Sequence, residues 1–217
     1  MAFSDFQSIE QVLAQYPLEV RQASFLSEIE AALPELLLEN LRFLLTMKAV
    51  EENDAFFTEG FIFPLLQQAW KQHRTLKLWS HRMITYDNTL FGAPDYLLSA
   101  ALHGVTDRLL TTPLVAVIEA KKEDFTRGWG QCVAAMLACQ KINADDQLPV
   151  YGIVSSGLFW EFGKLEEHTF TKHLLSYAIS DPQKVYGLVE SIFAACEEAL
   201  MSYERRYSPS DSFRLIR

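Results

Sequence analysis

Apolar residues recur at threes and fours over two stretches near the start of the chain. Residues 5–16 read as one helix. In 22–48, Phe25, Ile29, Leu33, Leu36, Leu37, Leu41 and Leu44 mark a second, which Pro34 kinks or splits. A polar break at 51–54 offers Asn53 or Asp54 as N-cap, and the helical period resumes over 57–72. The period then changes. Residues 76–86 and 96–102 are β-branched, aromatic or leucine-rich, with turn chemistry at Asp87-Asn88 between them. Leu114–Ala120 is apolar but for Glu119, and such a run reads as a central strand covered on both faces. Asp124 predicts the cap of a helix over 125–142, and 149–155 with 157–165 predicts a hairpin. Asp181 and Pro182 open a last helix over 182–205, with Val185, Leu188, Val189, Ile192 and Phe193 on one side. Helices, three strands, a helix, two strands and a helix make a mixed α/β sheet with helices on its faces.

With 217 residues, 49% hydrophobic and 22% charged, the chain falls outside the disordered, collagenous and low-complexity classes. No Gly/Ser/Pro-rich linker separates the first helices from the rest, so residues 1–217 are expected to form a single domain. Cys132, Cys139 and Cys196 are odd in number and lie in apolar helical runs, which reads as free thiols in a reducing compartment. The opening residues MAFSDFQSIEQ carry acids where a signal peptide has a basic patch, and no run reaches the length of a membrane span. A cytoplasmic location without membrane contact is the expectation.

Net charge is −9, but its distribution is uneven. Residues 1–60 hold eleven acids and three bases, whereas 61–127 hold eight bases, six acids, and His73, His81 and His103. That balance excludes a broad basic surface for coating DNA and permits a local basic cleft. Lys71, Arg74, Lys77, Arg82 and Lys122 are the bases available to line one.

The chemistry concentrates around Asp95 and the end of the 114–120 strand. Alternation along a strand puts Glu119 and Lys121 on one face, about 7 Å apart at Cα, following Val115 and Val117. In α/β sheets ligands gather at the carboxyl ends of strands. A carboxylate and an ammonium placed there need partners, and Asp95 on a neighbouring strand would bring a second carboxylate toward Glu119. Two close carboxylates with room for water suit a hard divalent cation, typically Mg²⁺. The Lys121 ammonium beside them would orient or deprotonate a water and offset charge on a phosphate.

Pro94-Asp95 followed by Glu119-Ala120-Lys121 resembles the PD-(D/E)xK nuclease superfamily, the restriction-endonuclease-like phosphodiesterases. Gly92-Ala93-Pro94-Asp95-Tyr96-Leu97 is similar to the family's strand with a Pro-Asp start, and Val117-Ile118-Glu119-Ala120-Lys121 to its next strand. Gln131 matches the glutamine that many members place beside the metal. Glu59-Gly60-Phe61-Ile62-Phe63-Pro64-Leu65-Leu66 resembles the helix carrying an accessory glutamate, with Glu59 preferred over Glu52. Ser156-Gly157-Leu158-Phe159-Trp160-Glu161-Phe162 resembles the late strand pair. The likeness spans about 52–165. It leaves 1–50 as an N-terminal helical elaboration and 181–206 as a C-terminal helix. Glu119 follows Asp95 by 24 positions, a spacing that requires an inserted loop around 102–113.

The resemblance implies an αβββαβ core, hydrolysis of a phosphodiester in nucleic acid, DNA foremost, and Mg²⁺ or Mn²⁺ as cofactor. Asp95, Glu119 and the Ala120 carbonyl would bind the metal, Lys121 would serve the attacking water, and Gln131 and Glu59 would support the site. A homodimer is compatible with it, because relatives often pair to cut two strands. The alternatives are a non-catalytic nucleic-acid- or protein-binding module that keeps this fold, and a structural or regulatory α/β protein.

Other features carry less. His168 and His173 lack further zinc ligands. Gly128-Trp129-Gly130 lacks the third glycine of a dinucleotide loop and reads as close packing at a helix start.

Overall fold

A computed structural model describes residues 2–47, 54–101, 109–121, 124–207 and 216. Seven strands lie side by side in the order β1 (Glu19–Gln22), β9 (Thr169–Lys172), β8 (Phe159–Glu166), β7 (Val150–Ser155), β6 (Leu114–Ala120), β5 (Tyr96–Ala100), β2 (Leu76–Ser80). A short β10 (Tyr177–Ala178) joins β8 as an eighth, and β3 (Ile84–Thr85) with β4 (Phe91–Gly92) forms a separate ribbon. β2, β5 and β6 are antiparallel neighbours, and β6 and β7 are parallel. A parallel pair needs a crossover, which helix α5 (Phe125–Asn143) supplies.

The sheet is mixed and covered on both faces. On one, Phe61, Leu65 and Leu66 pack with Val189, Ile192 and Phe193 of helix α6 (Pro182–Arg206) against Ala116, Ile118 and Ile153. On the other, Trp129, Cys132, Val133 and Met136 of α5 pack with Phe3, Phe6 and Val12 against Leu97, Val117 and Val154. Burying β6 on both sides explains why its sequence is nearly unbroken in hydrophobicity. Asp124 accepts from the Arg127 N–H and Asp181 from the Lys184 N–H, so both expected caps form. The three cysteines are buried free thiols. No helix among the described residues is long and apolar enough to cross a membrane.

The N-terminal region departs from expectation. The helix expected over 5–16 is a 3₁₀ turn at Phe3–Asp5 followed by α1 (Ile9–Leu13). The one expected over 22–48 shrinks to α2 (Glu35–Thr46), beginning after Pro34. Residues 19–22 pair with β9 as a strand, and the following segment runs extended across α6. Its anchors are tertiary: the Phe25 N–H donates to His173 Nδ1, the Ala31 N–H to the Gln183 carbonyl, and the Ile29 carbonyl lies against Gly187 where a Cβ would collide. Packing, not helical hydrogen bonding, satisfies those apolar residues.

Two further corrections concern the middle of the chain. The 76–86 run breaks at His81, whose φ of 49° turns the chain out of β2. The helix expected over 57–72 is longer: α3 (Asp54–Phe57) passes through a π turn at Thr58–Ile62 into α4 (Phe63–Gln72). Pro64, which has no N–H to give, stands in the first turn of α4, two residues after that π turn. Of the expected break at 51–54, residues 51–53 lie outside the described residues, as does most of the loop expected around 102–113.

Candidate functional site

Tyr96 pairs with Ile118 and Leu97 with Val117 across the antiparallel β5–β6 ladder. One step further on, Asp95 faces Glu119. Directly opposed residues point to the same side of a sheet with Cβ atoms about 5 Å apart, so the ladder itself brings the carboxyls together. Asp95 is fixed there: its Oδ2 accepts from the Ala120 N–H at 2.7 Å. Lys121 Nζ lies 3.4 Å from that oxygen and 3.3 Å from Glu119 Oε2, so one ammonium bridges both acids. The Lys121 N–H donates to the Ser155 carbonyl at the end of β7, which holds the backbone at this point.

The stripe leading to these charges is shorter than alternation predicts. Leu98 pairs with Ala116 but Ser99 with Leu114, so β6 carries one extra residue, Val115. Val115 therefore packs with the α6 core, while Val117 faces α5 with Glu119. The bulge lies upstream of the site and leaves the Glu119–Lys121 alternation intact.

Charge is concentrated in a poorly hydrated place. The Glu119 side chain is 5% exposed, those of Asp95 and Lys121 22% and 25%. Burial, and after it the Asp95 charge, push the Glu119 carboxyl up to about 8, with Lys121 pulling the other way. Burial disfavours the Lys121 ammonium, yet the charges of Glu119 and Asp95 outweigh it and raise its pKa. Ionised together, the two acids would exceed the single ammonium by one negative charge, so near neutral pH the metal-free site keeps a proton on Glu119 that a cation can displace. A hard cation that accepts one or two carboxylates and keeps its own waters fits that donor pair. Among the described residues, no three or more His, Cys, Asp or Glu side chains are gathered as a ready-made metal cluster.

The remaining sequence candidates scatter. Glu59 sits exposed in the π turn, and its charge, after burial and the Asp95 charge, helps push Tyr96 up to about 12. Phe63 stacks on Tyr96 with centroids 5.9 Å apart, which ties that turn to the strand beginning at Asp95. Gln131 is buried, and its amide donates to the Ser4 carbonyl, so it fastens the N-terminal segment to α5. Lys71, in the last turn of α4, and Arg74 are exposed, and Lys77 in β2 and Arg82 just after it are half-buried. Lys122 and Glu52 lie outside the described residues.

Two participants carried no sequence signal. His81 Nε2 lies 3.5 Å from Asp95 Oδ1 and its N–H donates to the Asp95 carbonyl, a contact made only because the chain turns there. Gly128 gives the Lys121 stem its room: a Cβ would stand 2.7 Å from Val154 Cγ1 and 3.2 Å from Lys121 Cγ. Gly130 similarly admits the Ser8 backbone, so both glycines serve close packing. No protein-family model, characterised protein or solved structure matches the chain.

Proposed function

We propose that this protein is a divalent-metal-dependent phosphodiesterase of the PD-(D/E)xK type that acts on nucleic acid, with DNA the first expectation. The observation that carries the reading is the cross-strand pairing of Asp95 with Glu119 under one bridging lysine, at the end of a buried strand. The element order supports it. Helix α4, antiparallel β2, β5 and β6, crossover α5, then β7 parallel to β6 is compatible with the αβββαβ core that the resemblance implies.

Asp95 and Glu119, with the Ala120 carbonyl, would hold Mg²⁺ or Mn²⁺, which supplies Lewis acidity and makes a bound water more acidic. In this reading Lys121 has two tasks. Without substrate it neutralises the carboxylates and keeps them in register. With substrate its ammonium faces the attacking water and the charge that builds on the phosphate. His81 orients Asp95 from the far oxygen. Gly128 positions Lys121, and Gln131 acts through the N-terminal segment it holds. Glu59 adds negative potential from the π turn.

The test is cleavage of labelled single- and double-stranded oligonucleotides under Mg²⁺ or Mn²⁺ titration, wild type against Asp95→Ala. Metal-dependent cleavage lost in the variant supports the reading. One observation favours a second reading, a non-catalytic module on the same fold: the Lys121 ammonium already occupies the space between the acids. Metal binding without cleavage would favour that module.

A further inference from the structure

Along β2, the outermost strand on its side of the sheet among the described residues, bases alternate with tryptophans. Arg74 Cζ lies 5.6 Å and Lys77 Nζ 5.3 Å from the centre of the Trp70 ring. Lys77 Nζ also lies 5.5 Å and Arg82 Cζ 5.4 Å from that of Trp79. The order Arg74–Trp70–Lys77–Trp79–Arg82 wraps the end of α4 and the length of β2, the last strand of the sheet. Both rings are fixed by their own N–H groups, Trp70 to the Leu76 carbonyl and Trp79 to Ser99 Oγ.

None of these three cations is ion-paired with an acid among the described residues. In a chain of net charge −9, a strip of unneutralised cations on rigid aromatic faces invites a polyanion. A cation over an aromatic face is held in place yet keeps its full charge and its free N–H donors. The strip also has a direction. From Lys77 the strand runs to Ser80 and His81, and His81 touches Asp95. At about 3.3 Å per residue, Lys77 lies roughly 13 Å along the chain from His81.

We infer that this ladder is the track along which one unpaired strand of nucleic acid reaches Asp95 and Glu119, and that the substrate is single-stranded or frayed. The inference rests on the phosphodiesterase reading and adds the substrate class. Cations at this spacing follow a phosphate backbone; the tryptophan faces lie under those cations, and a base that takes a cation's place as it turns to a phosphate must be unstacked, which a duplex does not allow. Read this way, recognition is indifferent to sequence, because every base has a π face and every step a phosphate.

The experiment is fluorescence anisotropy with a labelled oligothymidylate of about a dozen nucleotides, a span within the usual single-strand site sizes. Ca²⁺ replaces Mg²⁺, and a blunt duplex of equal length serves as competitor. Wild type should bind the single strand more tightly than the duplex. The variant Lys77→Ala/Arg82→Ala should lose on the order of tenfold, and its salt slope should flatten by about 1.4, two phosphates at 0.7 each. Circular dichroism confirms that it folds, and Trp79→Leu should weaken binding with little change in salt slope. Equal binding by wild type and the double variant, tighter binding of the duplex, or no binding of either oligonucleotide would overturn the track. Cleavage sensitive to Asp95→Asn, measured on the same preparation, separates the two ideas. If it persists while the double variant binds normally, the track alone falls. If neither cleavage nor a metal-induced thermal shift is seen, the phosphodiesterase reading falls with it.

Discussion

Asp95 stands across the β5–β6 ladder from Glu119, one step beyond the Tyr96–Ile118 pair. Ionising two acids directly opposed on a sheet is costly, and Glu119 is also buried, which pushes its carboxyl up to about 8. Lys121 offsets part of that cost at 3.3–3.4 Å from each acid. An arrangement that is unfavourable for folding alone is the kind that a bound cation relieves.

The first prediction follows directly. Mg²⁺ or Mn²⁺ should raise the melting temperature of the wild type, because a ligand of the native state adds about 2.7 kcal/mol at a hundredfold excess over Kd. Asp95→Asn should abolish most of that shift. Above pH 8, where both acids are ionised, it should also leave the metal-free protein as stable as the wild type or slightly more so, since one of two repelling charges is gone. Equal metal shifts in the two proteins, read by differential scanning fluorimetry, would remove Asp95 from the site.

Glu119 makes the metal-free protein pH-sensitive in a defined direction. Its carboxyl titrates near 4.5 when unfolded and is pushed up to about 8 when folded. Between those values the native state holds a proton that the unfolded state has lost, so stability falls as pH rises from about 4.5 toward 8. Glu119→Gln should remove that fall, and urea denaturation at pH 5 and pH 8.5 measures it. Metal affinity should rise up to about tenfold per pH unit over the same window, as the metal displaces the proton. Parallel profiles for the two proteins would contradict the buried carboxylate.

His173 works in the opposite sense. It accepts from the Phe25 N–H through Nδ1 and lies 3.0 Å from the Tyr177 hydroxyl through Nε2, which needs a neutral ring. Burial lowers its pKa, with Glu28 pulling the other way. Below about 6.5 the unfolded state takes up a proton that the native state refuses, so this contribution is lost as pH falls. His173→Gln should lessen the acid loss, measured as the difference in stability between pH 7 and pH 5. An unchanged difference would show that the ring does not hold the 23–34 segment in the neutral form.

Gly187 tests how that segment is held. A Cβ there collides with the Ile29 carbonyl, so Gly187→Ala must push the extended segment off α6. Overpacking of this kind costs about 1–3 kcal/mol, whereas alanine at an open helical position would stabilise. A denaturation midpoint at or above the wild-type value would show that residues 23–34 do not pack as described.

The sheet was legible wherever a strand buries both faces or a cap is explicit. Leu114–Ala120 reads as β6 without error because six of its seven residues are buried, and Asp124 and Asp181 announce their helices. The N-terminal region was not, because Phe25, Ile29 and Leu33 keep helical spacing while the backbone is held at Phe25 by His173, at Ala31 by Gln183 and at Ile29 by the close approach to Gly187. Long-range packing of that sort leaves no local period. β9 escaped because it is four residues long and reached through a turn at Glu167, whose φ is 52°. At the site, the strand alternation that joins Glu119 to Lys121 could be read in advance. The contact of His81 with Asp95 and the room made by Gly128 could not, since each depends on two elements meeting in space.

The most direct test of the phosphodiesterase reading is the rate of oligonucleotide cleavage by Lys121→Ala at saturating Mg²⁺, with metal affinity measured alongside. Lys121 is not itself a ligand, so Asp95 and Glu119 should still bind the metal, as tightly or more so once a neighbouring positive charge is gone. What is lost is the ammonium beside the water and the phosphate, and acid–base help alone is worth about 10²–10⁴ in rate. Cleavage should therefore fall at least about a hundredfold with metal affinity retained, while Lys141→Ala, at the far end of α5, should cleave like the wild type. Wild-type cleavage by Lys121→Ala, or the absence of metal-dependent cleavage in the wild type, would contradict the reading.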